Sequence, residues 1–191
     1  TNTSFSKLEE LMKKLIQSFT LLSLIILVSN SCKKIDQFTQ FNMDFNNEII
    51  IPSSTGINLP INLSTPEMET NSESTFEIND TRKDLIEEIR LTSLTLYLSS
   101  PNNADFSFLE SISVYMIAQD LPEVEIAWED NVPENAGNQI SLNVSSEDFK
   151  EYIKKAEFSL RVNTITDELM TSDHQIEISS SFFIDAKILG L

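Results

Sequence analysis

Short runs rich in β-branched and aromatic residues alternate with polar turns from Glu48 to the end of the chain. Their spacing suits antiparallel strands joined by short connections. The runs predicted as strands are residues 48–51, 57–63, 74–78, 89–99, 112–119, 124–128, 139–144, 157–166 and 174–188. In the last run, the even positions from Ile176 to Ile188 are mainly apolar and the odd positions are mainly polar, which predicts one buried face.

The apolar phase changes inside the run at 89–99. Ile89 and Leu91 occupy odd positions, whereas Leu94 and the leucines after it occupy even positions. A slip of one residue turns every later side chain to the other face of a strand, so a regular strand would expose one of these two sets. One extra residue, a β-bulge, near Thr92 and Ser93 would return both sets to the same face.

Two segments have a helical period instead. Residues 80–88 begin with Asp80, which is predicted as the N-cap of a short helix. Residues 145–156 begin with Ser145, and Asp148 follows three residues later. One face of this second helix would carry Phe149, Tyr152, Ile153 and Ala156. Both helices are short enough to cover the ends of a sandwich.

Strands dominate this pattern, and the strands are not regularly followed by helices. This disfavours a doubly wound or barrel α/β fold. The predicted fold is therefore all-β: an antiparallel β-sandwich, immunoglobulin-like or related, with one or two short helices. The inner faces of its sheets are predicted to bury Leu94, Leu96, Leu98, Ile112, Val114, Met116, Ile126, Trp128, Ile140, Leu142, Phe158, Leu160, Val162, Ile176, Ile178, Phe182 and Ile184.

The chain before this domain has the pattern of an export signal. Lys13 and Lys14 precede an apolar run over 15–28. The positive charge holds the start of such a segment in the cytoplasm, and the run is too short to span a bilayer comfortably. Cleavage is therefore expected rather than permanent insertion. Because the signal begins at Met12, we expect that residue to be the true start.

The cleavage site is predicted directly before Cys32. Ser29 and Ser31 lie at the third and first positions before it, where a signal peptidase accepts only small side chains. The pattern over 28–32 resembles a lipobox, although Leu is usual where Ser29 stands. The resemblance implies that the thiol of Cys32 receives a diacylglycerol group, and that its amine is then acylated. Residues 1–31 are thus interpreted as an upstream extension and a lipoprotein signal peptide.

Residues 32–47 are polar with isolated aromatics, and they sustain neither a helical nor a strand period. We interpret them as a tether that begins at lipidated Cys32. Residues 48–191 are then the β-sandwich domain, and their number suits one compact core. Two or three acyl chains would hold this domain at a membrane, since each buried methylene contributes about 0.8 kcal/mol.

Composition excludes several classes of function. The net charge of −17 repels nucleic acid, so no nucleic-acid partner is expected. Cys32 is the single cysteine, so the domain has no internal disulfide. The chain contains three glycines and no Gly-rich phosphate loop or dinucleotide fingerprint. No cofactor is predicted.

His174 is the single histidine, so chemistry that needs an imidazole base would be centred there. Ser172, Asp173 and His174 read as a polar turn before the last strand, where an exposed histidine is common. No G-x-S-x-G nucleophile elbow accompanies them. We therefore predict no catalytic residue, while a Ser-His-Asp arrangement assembled from distant positions stays open.

The segment 120–134 carries six carboxylates, which are Asp120, Glu123, Glu125, Glu129, Asp130 and Glu134. Calcium is the natural ligand for such a cluster, but no D-x-[DN]-x-[DN]-G loop is present. A solvated acidic face is the favoured interpretation. No metal ligand is predicted, and calcium binding to this segment stays open.

Aromatic residues suggest a ligand surface. Trp128 alternates with Val124 and Ile126, which predicts that its ring faces the core. Tyr97, Tyr115 and Phe183 lie out of phase with the apolar sets of their strands. These three residues are therefore the candidate ligand surface.

The Ser-Asn-Ser-Cys-Lys-Lys motif at 29–34, the Asn-rich tether and the single sandwich domain resemble the small acidic lipoproteins of Bacteroidetes-type bacteria. The resemblance implies attachment to the outer membrane. In that group, surface export is associated with acidic residues shortly after the cysteine, and Asp36 is the one such residue within 33–36. Periplasmic and surface facing both stay open.

Together these patterns predict a non-enzymatic envelope lipoprotein, whose sandwich is a binding or accessory module anchored through acylated Cys32. Its expected partners are the membrane, through the anchor, and a protein of the envelope. Three alternatives stay open: a carrier of an apolar ligand or lipid, a weak carbohydrate-binding or pilus-type surface protein, and a hydrolase that uses His174.

Overall fold

The computed structural model describes Met12 and residues 39–187. Residues 39–187 belong to one compact unit. Cys32, the predicted signal apart from Met12, and residues 33–38 of the tether lie outside the described residues. In the part of the chain that is described, no helix is long and apolar enough to cross a membrane.

Strands are the main regular elements of the domain. These are β1 (Gln40–Ile51), β2 (Pro60–Ser64), β3 (Met68–Glu69), β4 (Ile86–Ser100), β5 (Leu109–Ile117), β6 (Val124–Glu129), β7 (Gln139–Ser141), β8 (Asn143–Val144), β9 (Glu157–Thr166) and β10 (His174–Ala186). Between them lie two short helices, α1 (Ser72–Ile78) and α2 (Lys150–Ile153), and two 3-10 turns, Lys83–Leu85 and Phe106–Phe108.

The strands form two antiparallel sheets. One has the order β1-β10-β4-β7, and we call it the four-stranded sheet. The other has the order β2-β9-β5-β6-β8 with β3 also beside β9, and we call it the six-stranded sheet. The predicted all-β sandwich is therefore confirmed.

Aromatic rings join the two sheets across the core. Phe45 of β1 contacts Phe158 of β9 edge to face, with ring centroids 5.1 Å apart, and it contacts Phe182 of β10 at 5.8 Å. Phe149, just before α2, packs against Phe182 at 6.1 Å. All four rings are buried, and each fully buried Phe stabilises the fold by about 1.5–3 kcal/mol. The predicted core residues are buried, except that Trp128 and Ile140 are half-buried.

The predicted bulge is present in β4. Ser93 pairs with Ser181 of β10, and Leu91 pairs with the next residue, Phe182, so Thr92 is the extra residue. Its side chain is exposed, and its hydroxyl donates a hydrogen bond to the Ser181 carbonyl oxygen at 2.9 Å. The bulge allows the leucines on both sides of it to face the core.

The tether prediction is wrong for residues 40–47, because β1 begins at Gln40 rather than at Glu48. Met43 and Phe45 are buried, while the residues between and around them are exposed. This alternation was present in the sequence, but Asn47 interrupts it before the aliphatic run that ends β1. Pairing of all twelve residues with β10 carries the strand across that interruption.

Two predictions near residue 80 are also wrong. Residues 74–78 belong to helix α1 rather than to a strand, and Asp80 follows this helix rather than beginning another. Asp80 has φ 54°, in the left-handed region, and its amide donates to the Glu77 carbonyl at 3.1 Å. It therefore ends α1 as a C-terminal cap would, and the chain enters β4 after the 3-10 turn.

Two further differences between the predicted and the observed elements concern residues 139–156. The run predicted as one strand at 139–144 divides between the sheets, since β7 pairs with β4 and β8 pairs with β6. The helix predicted over 145–156 is limited to α2. A hydrogen bond attaches the start of α2 to β4, because the Phe149 amide donates to the Ile89 carbonyl at 2.7 Å.

Candidate functional site

The three aromatic candidates point outward as predicted, but they do not form one surface. Tyr97 and Phe183 lie on the outer face of the four-stranded sheet, on β4 and β10 respectively. Tyr97 is 39% exposed beside Glu177, whereas Phe183 lies under the Arg90 guanidinium, which is 5.4 Å from its ring centroid. Tyr115 is on the outer face of the other sheet. No shared ligand surface results.

Trp128 faces outward, which corrects its predicted place in the core. Val114 of β5 pairs with Ala127, and Tyr115 pairs with Glu125, so Ile126 is an extra residue in β6. Both Ile126 and Ala127 are buried. The bulge therefore reverses the alternation, and Trp128 is half-buried on the outer face of the six-stranded sheet.

On this outer face, Trp128 belongs to a row of paired residues that crosses five strands and is otherwise polar. The paired residues of that row are Asn62 on β2, Asn163 on β9, Ser113 on β5, Trp128 on β6 and Asn143 on β8. A neighbouring row contains Arg161, Tyr115 and Glu125. Paired residues of antiparallel strands share a face of the sheet, so these eight side chains lie on one side. We call this surface the Trp128 face.

Hydrogen bonds fix one half of the Trp128 face. The Arg161 guanidinium lies over the Tyr115 ring, 4.2 Å from its centroid, which is a favourable cation–π arrangement. Arg161 donates through Nε and Nη2 to Glu123, and through Nη1 to Oδ1 of Asn62. Asn163 donates to the same Asn62 oxygen at 3.0 Å. This network holds the side chains of β2 and β9 in defined positions.

The network also sets the charge of this half. Hydrogen bonds from Arg161 hold the pKa of the Glu123 carboxyl below its usual range. The same bonds to Glu123 raise the pKa of the Arg161 guanidinium. The two groups are therefore ionised together over a wide pH range, and their charges cancel locally.

The other half of the Trp128 face is less constrained. Asn143 donates to Oε2 of Glu129 at 3.3 Å, and Oε1 of Glu129 accepts from the Asn131 amide at 3.2 Å. Among the described residues, the Trp128 indole N–H has no hydrogen-bond partner. A half-buried ring with an unpaired donor thus lies between two sets of polar side chains.

His174 is buried rather than exposed, which corrects its predicted place in a solvated turn. It is 8% exposed and packs on Phe108, with ring centroids 4.3 Å apart. Its Nδ1 is 2.9 Å from the Ser172 carbonyl oxygen. The Asp173 carboxylate accepts hydrogen bonds from the amide and hydroxyl of Ser53, which lower its pKa. Asp173 is thus engaged with Ser53 rather than with the imidazole, and His174 contributes to packing.

The acidic segment does not converge on a cation. Glu123 is paired with Arg161, and Glu129 accepts from the side chain of Asn143 and the amide of Asn131. Within Met12 and residues 39–187, no group of three His, Cys, Asp or Glu side chains is placed to share a metal ion. The calcium hypothesis therefore has no ligand set in this part of the chain.

No protein-family model and no curated protein matches this sequence. The chain is remotely similar to the acid-stable capsid structure of Helicobacter pylori bacteriophage KHP30, with 7% identity, a TM-score of 0.35, and coverage of 75% of this chain and 92% of that chain. It is similar to Turnip yellow mosaic virus with 10% identity, a TM-score of 0.31, and coverage of 80% and 96%.

A third similarity is to a structure of carbohydrate-binding modules from the β-sandwich superfamily, with 9% identity and a TM-score of 0.30. This match covers 78% of this chain and 55% of that chain. At these TM-scores none of the three similarities identifies a family or a function for this protein.

Proposed function

We propose that this protein is a non-enzymatic lipoprotein of the cell envelope, and that its sandwich is a binding module held at the outer membrane by acylated Cys32. The anchor is supported by the sequence: two lysines, a short apolar run, and small residues before a single cysteine. The binding role is supported by the structure. The observation that carries it is the Trp128 face, where aromatic rings and polar side chains share one outer surface of the sheet.

The other functions have less support from the described residues. A lipid carrier requires a space between the sheets, and there the rings of Phe45, Phe158 and Phe182 are in contact. A hydrolase that uses His174 requires an accessible imidazole near a nucleophile. Instead, the imidazole is buried against Phe108, and its nearest polar partner is a backbone carbonyl.

The test is the distribution of the full-length chain between membrane and soluble fractions of the producing cell. We expect the wild-type protein in the membrane fraction, and its release from that fraction only by detergent. Cys32→Ala removes the acceptor of the lipid, so this variant should keep its signal peptide or become soluble.

Ser31→Ala is the matched control, because alanine is also small enough for the cleavage site. It should be processed and fractionate like the wild-type chain. A wild-type protein found in the soluble fraction, or a Cys32→Ala variant that is processed and retained like the wild type, would contradict the proposed anchor.

A further inference from the structure

We propose that the Trp128 face binds a neutral glycan chain. This inference rests on the proposed function, because it names the ligand class of the binding module. It follows from three properties of the face: the position of its aromatic ring, the unused hydrogen-bonding groups around that ring, and its charge.

The ring is placed for stacking. The β6 bulge brings Trp128 to the outer face, where its direct neighbours in the row are Ser113 and Asn143. Ser113 is small, and Asn143 is exposed. A half-buried indole on the outer face, beside small and polar neighbours, offers its accessible apolar surface to the C–H face of a sugar ring, and its N–H is available to a hydroxyl.

The amides of the same row supply polar contacts. Asn62 uses its oxygen to accept from Arg161 and Asn163, which leaves both of its N–H donors without a partner in the described part of the chain. Asn163 and Asn143 each use their nitrogen as a donor, so their oxygens are available to accept. Sugar hydroxyls both donate and accept hydrogen bonds, and they can satisfy both kinds of group.

Charge selects against anionic ligands. Arg161, the cation of the face, is neutralised by Glu123, and Glu125 in the neighbouring row adds negative charge to the same face. The whole chain carries a net charge of −17. An acidic polysaccharide would therefore be repelled, whereas a neutral glycan is not.

The shape of the face favours a chain over a single sugar. The row from Asn62 to Asn143 crosses five adjacent strands. With strands about 4.8 Å apart, its ends are roughly 19 Å from each other. The aromatic ring and the unused amide groups are distributed along this length, so several sugar rings could contact the face at once.

The experiment uses the mature lipidated protein in detergent micelles. Its migration is measured by affinity electrophoresis in gels that contain soluble mannan, xyloglucan, galactan or starch as neutral probes, or polygalacturonate as an anionic probe. We expect retardation by at least one neutral glycan and none by polygalacturonate. Trp128→Ala should weaken binding about tenfold or more, which corresponds to about 1.4 kcal/mol. Trp128→Phe should retain part of the affinity, because it keeps a ring.

Tyr97→Ala is the matched control, since Tyr97 is an exposed aromatic residue on the opposite sheet. It should bind like the wild type, and melting temperatures should show that every variant is folded. The proposal is overturned if no neutral glycan retards the protein, if folded Trp128→Ala binds like the wild type, or if polygalacturonate binds best. A protein that is acylated at Cys32 but binds no neutral glycan would refute this inference alone. A chain that binds a glycan but is never acylated would refute the anchor.

Discussion

At the scale of single residues, Asp148 connects α2 to the four-stranded sheet. Its Oδ1 accepts from the Ile89 amide of β4 and from the Lys150 amide of α2, each at 3.0 Å. Partial desolvation of Asp148 favours the protonated carboxyl, but these hydrogen bonds outweigh it and place the pKa below the ordinary value of 3.8. The folded state therefore binds this proton less readily than the unfolded state does.

Asp148→Ala should lower the free energy of unfolding by about 1–2 kcal/mol at pH 7, as expected for the loss of a charged acceptor at a helix start. Because the folded pKa is depressed, this contribution is present above pH 3.8 and is lost as the pH falls through the folded pKa. Urea unfolding between pH 7 and pH 2.5 tests this. The difference between the two proteins should shrink at the acid end.

Asp130→Ala is the control for that series, because Asp130 is an exposed carboxylate outside any hydrogen bond described for this domain. Its effect should be within about 0.5 kcal/mol at every pH. An Asp148→Ala difference that stays constant down to pH 2.5 would show that the carboxylate charge has no part in the effect.

Single residues also show where sequence reasoning succeeds and fails. The outward positions of Tyr97, Tyr115 and Phe183 could be predicted, because each is out of phase with the apolar set of its strand. Trp128 could not be placed, since Val124, Ile126 and Trp128 alternate regularly and only the pairing with β5 reveals the bulge. His174 is buried because Phe108, far away in the sequence, packs against it.

At the scale of elements, α1 shows how tertiary contacts decide between a short helix and a strand. Phe76 and Ile78 are two residues apart, which also fits a strand, and a segment of this length cannot be assigned from its period alone. In the structure, Phe76 is 0% exposed and packs on Phe41, with ring centroids 6.1 Å apart, while Ile78 is 82% exposed. The two side chains thus have opposite environments on one short helix.

This contrast predicts mutational effects of very different size within α1. Phe76→Ala should lower the free energy of unfolding by about 3–5 kcal/mol, because it removes a fully buried ring and leaves a cavity. Ile78→Ala, its matched control, should change stability by less than about 0.5 kcal/mol. Chemical denaturation of both variants measures the two values. Similar losses in the two variants would contradict the described orientation of the helix.

The β4 bulge gives a second prediction at this scale. Removal of Thr92 leaves Leu91, Ser93 and Leu94 in regular alternation, so the deletion variant should fold and keep the same residues in the core. Removal of Thr95, which lies in a regularly paired part of the same strand, should instead turn Leu96 and the leucine after it outward.

Exposure of two leucines costs about 3–6 kcal/mol, which is comparable with the whole stability of many domains. The Thr95 deletion should therefore be strongly destabilised or unfolded, and the Thr92 deletion should melt within a few degrees of the wild type. Thermal melting followed by circular dichroism compares them. Equal loss of structure in both deletions would show that Thr92 is not a dispensable extra residue.

The elements that could be predicted are those with unbroken alternation. Strand β9 begins and ends where the sequence predicts, at Glu157 and Thr166, because every second residue from Phe158 onward is buried. The start of β1 was missed because Asn47 breaks the pattern. The division of 139–144 between two sheets depends on which partner each half meets, and that choice is not encoded in a short local pattern.

At the scale of the whole molecule, we propose that a lipid anchor holds a negatively charged sandwich, one outer face of which is aromatic and polar. The proposed anchor depends on one chemical event, the acylation of Cys32. Without that event, the proposed binding module would have no attachment to the envelope. The thiol of this residue is therefore the most informative group to measure.

Intact-mass and peptide analysis of the protein from envelopes of its producing cell shows whether Cys32 is acylated. The proposed anchor requires a chain that begins at Cys32 and carries the added mass of a diacylglycerol group, with or without a further acyl chain on its amine. A chain that retains Met12 and the apolar run after it, with an unmodified Cys32 thiol, would contradict it.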